Sequence, residues 1–400
     1  MTTDWKEVEK KYYMQVVRRQ PIVIVRGEGT RVWDDAGKEY LDFTGGWAVV
    51  NVGHANPVVA EAIAKQAKAL LQTSNQFYTI PQLELARILV DNSCMDRIFI
   101  ANSGAEANEG MIKLARKYGI TKKNGAHEII TMDHSFHGRT LVTMAASGKP
   151  LDSFLPAPMG FKVVEYNNLD AIKRATTEKT AAVMMEPVQG EGGVNVPSKE
   201  YMKAVRKWCT DNGMLLIFDE VQSGIGRLGT LFGYQAFDVE PDAMSLAKGL
   251  GGGAPIGAFL TKEFCNVLAP GDHGSTFGGN PLASAAAYAA VKYAIDNNVP
   301  ANAVKMGERL RAGLGKLKTK HSFIKEVRGV GLLNAVEFNI EISAATLTAA
   351  NGLGLLLNAP RPNIVRWMPP LTVNAAEVDK AVGLFEKAIV EGAKTATAKK

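Results

Sequence analysis

Lys248 stands where a lysine needs a reason to be. It follows Ala243-Met244-Ser245-Leu246-Ala247 and precedes Gly249-Leu250-Gly251-Gly252-Gly253. Lysine is rarely buried. An ε-amine at the end of a hydrophobic strand is useful when it forms a Schiff base, in which a covalent imine replaces the ammonium. The plainer reading is a lysine whose stem lies on apolar surface while its head reaches water. Asp219 likewise closes the run Leu215-Leu216-Ile217-Phe218. An unpaired carboxylate there would neutralise, because desolvating a charge is costly, and a bound cation would keep it ionised. Its plainer reading is an acid hydrogen-bonded to backbone or capping a turn. The two residues lie 29 positions apart, the span of one crossover between successive parallel strands. A lysine for an aldehyde and an acid for a ring nitrogen together point to pyridoxal 5′-phosphate as cofactor.

That cofactor also carries a phosphate. Ser103-x-x-Glu106 has the form of a capping box, opening a helix whose apolar face is Ala107, Met111, Leu114, Ala115 and Tyr118. Free amides at Gly104 and Ala105, with the helix dipole, make an anion site, although the same box serves any helix start. Thr276, in Gly274-Ser275-Thr276-Phe277-Gly278-Gly279-Asn280, could add a hydroxyl, with Asn280 as N-cap and Pro281 opening the next helix. Two motifs point elsewhere. Residues 224–229 fit G-x-G-x-x-G, but Asp219 and Glu220 precede the first glycine, where they would repel a pyrophosphate, and no clean amphipathic helix follows. His134-x-x-His137 suggests a metal, but no further ligand has the right spacing. An aromatic neighbourhood around Phe136 is the better reading, and no metal is expected.

The elements that must position these residues are short apolar runs alternating with helical patterns from about residue 60 to 300. The runs 97–100, 128–132, 181–185, 215–218, 243–246 and 256–260 are continuously apolar, as expected of strands with both faces covered. That predicts an α/β layered domain. Small polar clusters follow these runs: Asn102 to Glu106, Phe136 to Arg139, Glu186 to Gln189, Asp219 to Gln222, and Ala247 to Gly249. In open α/β sheets ligands sit beyond the carboxyl ends of strands, so five clusters are expected to converge. A hairpin pattern over Thr30–Trp33 and Glu39–Phe43 and a helix–strand–helix pattern after residue 300 suggest a smaller second domain. The expected boundaries are 1–55 and 298–400 for the smaller part and 56–297 for the larger, with 394–400 as a frayed end.

The 400 residues, 46% hydrophobic and 22% charged, are ordinary globular composition and long enough for two domains. The net charge of +6 is spread along the chain rather than gathered in blocks, so it argues only weakly for nucleic acid and suits an anionic small-molecule substrate equally well; no nucleic-acid partner is expected. Three widely separated cysteines match neither a disulfide framework nor a zinc set and suggest buried thiols in a reducing compartment. The amino terminus lacks a signal-peptide layout and no stretch approaches a membrane span, so a cytoplasmic protein is expected.

Six ordered blocks carry a resemblance: NSGAEANE at 102–109, SFHGRT at 135–140, EPVQGEGGV at 186–194, LLIFDEVQSGIGRLG at 215–229, LAKGLGGGAPIGA at 246–258 and HGSTFGGNPL at 273–282. Over nearly its whole length the chain resembles the class III, fold-type I pyridoxal-phosphate-dependent aminotransferases. The resemblance implies a large domain with a mostly parallel seven-stranded sheet and a smaller α+β domain built from both termini. It implies that Lys248 makes the covalent link to the cofactor and later moves the proton, and that Asp219 pairs with the ring nitrogen. Gln222 would lie near the ring hydroxyl, with Phe136 and Val221 on the two ring faces. Ser103, Gly104 and Ala105 would hold the phosphate, and Thr276 would reach it from a partner subunit, giving a homodimer with shared sites. Arg139 would bind a substrate carboxylate, and Glu191 would mask or release Arg366 as the substrate changes. Ser275 and Trp47 are further expected substrate contacts, and Glu186 is expected one layer behind.

Ser223, Leu228 and Asn56 depart from commoner family residues without removing a catalytic role. Tyrosines that contact a free α-amine in ornithine-specific members fall roughly at Val17 and Trp47, which fits an acylated amine better. The implied reaction moves the δ-amino group of N2-acetyl-L-ornithine to 2-oxoglutarate, forming L-glutamate and a semialdehyde. Succinylornithine, succinyldiaminopimelate, 4-aminobutyrate and free ornithine are alternative donors. A nicotinamide-dependent dehydrogenase and a catalytically inert oligomeric binding protein are the readings from other classes.

Overall fold

The computed structural model describes residues 3–397. Seven strands form the large sheet: β1 (Arg97–Ala101), β2 (Glu128–Met132), β3 (Phe161–Val164), β4 (Thr180–Met185), β5 (Leu215–Asp219), β6 (Ala243–Leu246) and β7 (Gly257–Thr261). Their order is β1-β7-β6-β5-β4-β2-β3. Only β7 runs against its neighbours, so β1 to β6 share one direction and their carboxyl ends share one edge. The sheet is thus mostly parallel and seven-stranded, within an α/β architecture.

The uninterrupted apolar runs have the anticipated cause. Side chains alternate between sheet faces, and each face has its own helix layer. Leu215 and Ile217 face α1 (Gly104–Lys122), packing with Met111, Leu114 and Ala115. Leu216 and Phe218 face the other side, with Met202, Val205 and Cys209 of α2 (Lys199–Asp211). Gly110 lets α1 approach β7, since a Cβ there would lie 2.2 Å from the Phe259 ring. Truncating a core residue such as Phe218, which is wholly buried, would cost about 3–5 kcal/mol. The alternation also decides the site: Asp219 continues the odd-numbered series and turns toward α1.

One strand escaped the sequence reading. β3 is a half-buried edge strand, Phe161-Lys162-Val163-Val164, whose lysine interrupts the apolar run. An edge strand has a neighbour on one side only and tolerates such a residue.

Two further sheets are built from the chain ends. Ile24–Glu28, Arg31–Asp34 and Glu39–Asp42 form an antiparallel set that Leu355–Leu356 extends in parallel. Ile324–Val330, Leu333–Phe338, Ile364–Trp367 and Asn358–Arg361 form an antiparallel sheet in that order. The segment 327–338 is therefore a hairpin, turning at Gly331 with φ 54°. Trp367 is buried edge-on against Phe43 and Phe385, at 5.5 and 4.8 Å between ring centroids. The last helix runs Ala375–Thr397, so the chain is helical through Lys394 rather than frayed there; Lys399 and Lys400 lie outside the described residues. Among the described residues no helix is long and apolar enough to cross a membrane.

Candidate active site

The polar clusters that follow β1, β2, β5 and β6 line one cleft of about 400 Å³, and the cluster after β4 packs just behind it. Ser103, Gly104, Ala105, Asn108, Phe136, His137, Arg139, Val221 and Lys248 are among its walls. A larger hollow, about 650 Å³, lies by Tyr118, Arg206 and Lys262, but none of the five clusters lines it. Convergence of chemistry, and not volume, marks the site.

The phosphate end follows from how α1 begins. Ser103 has extended backbone and its Oγ accepts from the Glu106 amide at 3.2 Å. The Glu106 carboxylate reaches past the N-cap to the Asn102 amide at 2.7 Å, a variation on the expected box. No acceptor in the described chain meets the amides of Gly104 and Ala105. A Cβ on Gly104 would lie 2.9 Å from Val221 Cγ1, so glycine is what lets Val221 close over the helix start. An anion capped by these amides would satisfy donors otherwise left without partners.

Behind the cleft, Asp219 Oδ2 accepts from Asn108 Nδ2 and His137 Nδ1, both at 2.7 Å, and Oδ1 accepts from the Val221 amide at 3.0 Å. The sequence reading left Asp219 dependent on a bound cation to remain charged; the chain itself supplies the partner. Burial pushes the Asp219 carboxyl up, but the His137 hydrogen bond and charge outweigh it and hold its pKa below the ordinary range. For His137, burial opposes the charge and Asp219 overcomes it, raising the pKa. Asn108 is not singled out by the sequence, and His137 is weighed there only as half of a metal pair and set aside; the structure places both on Asp219. Both lie inside quoted blocks, and the turn of Asp219 toward α1 was the available signal for Asn108. His134 parts from His137: it is exposed, 3.8 Å from Asp133. Among the described residues no cluster of three metal-ligating side chains occurs.

Lys248 follows β6 at φ 46°, a left-handed conformation that costs a non-glycine residue energy and that packing must enforce. Burial lowers its pKa, Glu191 opposes that shift and Arg366 reinforces it. Arg366 is wholly buried, with Nη2 2.7 Å from Glu191 Oε1 and Nη1 donating to Gln222 Oε1 at 3.1 Å. Burial would raise the Glu191 pKa, but Arg366 and then Lys248 bring it down. Gln222, anticipated near a ring hydroxyl, turns its oxygen to Arg366 and leaves Nε2 buried without a partner. Glu186 accepts from the amides of Phe136 (2.7 Å) and Gly190 (2.8 Å), and burial with the Asp219 charge lifts its carboxyl to about 7.

Arg139 is exposed on the rim, its guanidinium 5.2 Å from the Phe136 ring centroid. Ser275 sits beside the cleft, Oγ accepting from Asn102 Nδ2 at 3.0 Å. Thr276, Trp47 and Val17 do not line the cleft. The Thr276 carbonyl accepts from Gln72, while Trp47 and Val17 are exposed. The G-x-G-x-x-G segment runs as turns and is followed only by the five-residue 3₁₀ helix Gly233–Phe237, not by the amphipathic α-helix a dinucleotide fold would place there. Unpartnered amides, a buried acid held toward its ionised form by a histidine, an aromatic wall and a lysine of lowered pKa together fit a phosphorylated ring aldehyde.

The profile of the family described as aminotransferase class-III matches residues 12–389. The acetylornithine aminotransferase of Methanocaldococcus jannaschii is 48% identical over 394 residues, covering 97% of this chain and 98% of that protein. The crystal structure of ornithine aminotransferase from Toxoplasma gondii, with partial occupancy of PLP at its active site, superposes with a TM-score of 0.93 at 33% identity, covering 98% of this chain and 95% of that one. Acetylornithine aminotransferase from Elizabethkingia anophelis superposes at 0.87 with 36% identity, covering 97% and 98%.

Proposed function

This chain belongs to the class-III aminotransferases, fold-type I enzymes that depend on pyridoxal 5′-phosphate, and we propose that it transfers the δ-amino group of N2-acetyl-L-ornithine to 2-oxoglutarate. Bound at this site, the cofactor supplies an aldehyde that takes up the amine and a protonated ring that withdraws electrons from the reacting carbon.

The residues around the cleft suit distinct tasks. The Gly104 and Ala105 amides would bind the phosphate, joined by the Ser103 hydroxyl if its proton turns from the Glu106 carboxylate that now accepts it, while Phe136 and Val221 would confine the ring. Asp219, held ionised by His137, keeps a proton on the ring nitrogen. Gln222 Nε2 is free to donate to the ring hydroxyl. Lys248 Nζ, neutral at lower pH than an ordinary lysine, would hold the cofactor at its aldehyde carbon with release of water and, once a substrate amine displaces it there, would be the free base that accepts and returns a proton. Arg139 binds the substrate carboxylate when the δ-amine faces Lys248. The observation that carries the reading is the Arg366–Glu191 pair beside Lys248. One pocket must hold a neutral acylated amine in one half-reaction and a second carboxylate in the other. An arginine that an acid can mask or release answers both needs.

Exposed Phe77, Tyr78, Ile80 and Phe277 lie around the segment that carries Ser275 and Thr276. An apolar patch of this kind supports a homodimer in which Thr276 of each chain completes the other's phosphate site. Three free cysteines suit a cytoplasmic enzyme.

The test is kcat/KM for N2-acetylornithine, N2-succinylornithine, 4-aminobutyrate and ornithine, each with 2-oxoglutarate. The acetylated amine is expected to lead ornithine by at least ~10-fold, the discrimination that one desolvated charge readily supplies. A preference for ornithine overturns the substrate assignment.

A further inference from the structure

Arg366 directs most of its donors away from Glu191. Asn358 Oδ1 accepts from Arg366 Nε at 3.1 Å and from Nη2 at 2.7 Å, and Gln222 Oε1 takes Nη1. A guanidinium has donors only, so the amide oxygens must face it. These acceptors are neutral and hold the cation whether or not a carboxylate is present. Asn358 is Arg366's partner across an antiparallel strand pair, which fixes it opposite the arginine.

The loop that carries Glu191 is pinned independently. The Gly190 amide donates to Glu186 at 2.8 Å, Arg361 Nε donates to the Gly192 carbonyl at 3.1 Å, and Arg328 Nη2 to the Gly193 carbonyl at 2.8 Å. Arg361 ends the same short strand that Asn358 begins. The backbone on both sides of Glu191 is therefore held, while its side chain is 32% exposed against none for Arg366.

We propose that Asn358 is a positioning residue that keeps Arg366 stationary, so that the exchange between the two substrates is a side-chain rotation of Glu191 alone. This rests on the reading of Arg366 and Glu191 as a switch. With the arginine fixed, the site that receives the α-carboxylate of the oxo acid exists before that substrate arrives. Without Asn358, Nε loses its acceptor and the freed guanidinium follows the Glu191 carboxylate, which spoils reception of the second carboxylate and leaves the masked state intact.

The experiment uses the holoenzyme and Asn358→Ala, with glutarate, a dicarboxylate that cannot react, as binding probe in calorimetry. The expected result is a roughly tenfold weaker glutarate Kd and a similar rise in KM for 2-oxoglutarate, the loss of about one charge-assisted hydrogen bond. The single-turnover half-reaction with N2-acetylornithine is expected to stay within about twofold, because the masked state needs no anchor. In Glu191→Gln, where no carboxylate competes for Arg366, the added Asn358→Ala change is expected to weaken glutarate by less than about threefold. Equal losses in both half-reactions, unchanged glutarate binding, or additive effects in the double variant would each overturn the anchor. Asn358→Ser, too short to reach the guanidinium, serves if Asn358→Ala does not fold. If neither folds, Asn358 is a structural requirement and the proposal is wrong. Glu191→Gln by itself tests the switch: if it changes neither glutarate binding nor the amine half-reaction, that reading fails regardless of Asn358.

Discussion

Two ion pairs reach the charge of Lys248 and differ in exposure. His137 and Asp219 are 0% and 2% exposed, whereas Arg366 and Glu191 are 0% and 32% exposed. The first pair is shut off from bulk water, and Asn108, Val221 and Ser245 take up more of the Asp219 oxygens. Neither member can leave without stranding an unpaired charge, which costs about 3–5 kcal/mol. The second pair has one member in the packed interior and one at its edge, where water can receive the carboxylate. The fixed pair suits a task that never changes, holding a proton on a ring nitrogen. The openable pair suits a task that alternates between substrates.

Lys248 lies within the field of both pairs, and its removal has the largest expected effect. Lys248→Ala should cut turnover with every donor by at least ~10⁴-fold, as loss of a nucleophile and proton carrier does. Product formed per enzyme measures this, and activity within a hundredfold of wild type would place the chemistry elsewhere.

Asp219→Asn breaks the closed pair while keeping its shape. It should lower kcat ~10³-fold, in line with losing one preorganised electrostatic group, and should let the His137 pKa fall, since Asp219 is what raises it. Imidazole NMR resonances and kcat together read this. A kcat within tenfold would mean that the closed pair is structural.

Glu186 touches both regions, through the Coulombic field of Asp219 and through the Gly190 amide next to Glu191. Its folded pKa of about 7 stands above the 4.5 of an ordinary glutamate. An acid with a raised folded pKa adds stability below its unfolded value and loses that contribution as pH climbs through the folded one. Wild-type stability should therefore decline between about pH 4.5 and 7, and Glu186→Gln should flatten that decline by at most ~3 kcal/mol. Urea unfolding at pH 5 and pH 8 checks it, and parallel pH profiles would assign the decline to other groups.

Much of the layout was legible because it depends on local pattern. A strand buried on both faces reads as an apolar run, and the residue that ends it sits at the sheet edge. β2 and β6 were therefore found to the residue, and Lys248 and Asp219 were found as interruptions of such runs. β3 was missed because an edge strand needs no such run. The neighbours of Asp219 were hidden for a different reason. His137 and Asn108 come from other elements, and their approach depends on how α1 and the segment after β2 pack over the sheet.

The amino acids in chain order decided which elements form and which chemical groups stand at their ends, because hydrophobic periodicity, capping and turn preference act over a few residues. The family resemblance implied that Arg366 meets Glu191, but tertiary structure alone decided that His137 charges Asp219 and that Gln222 faces the arginine. Those contacts join segments up to 175 positions apart. The strength of each depends on burial, which no local stretch of chain can specify.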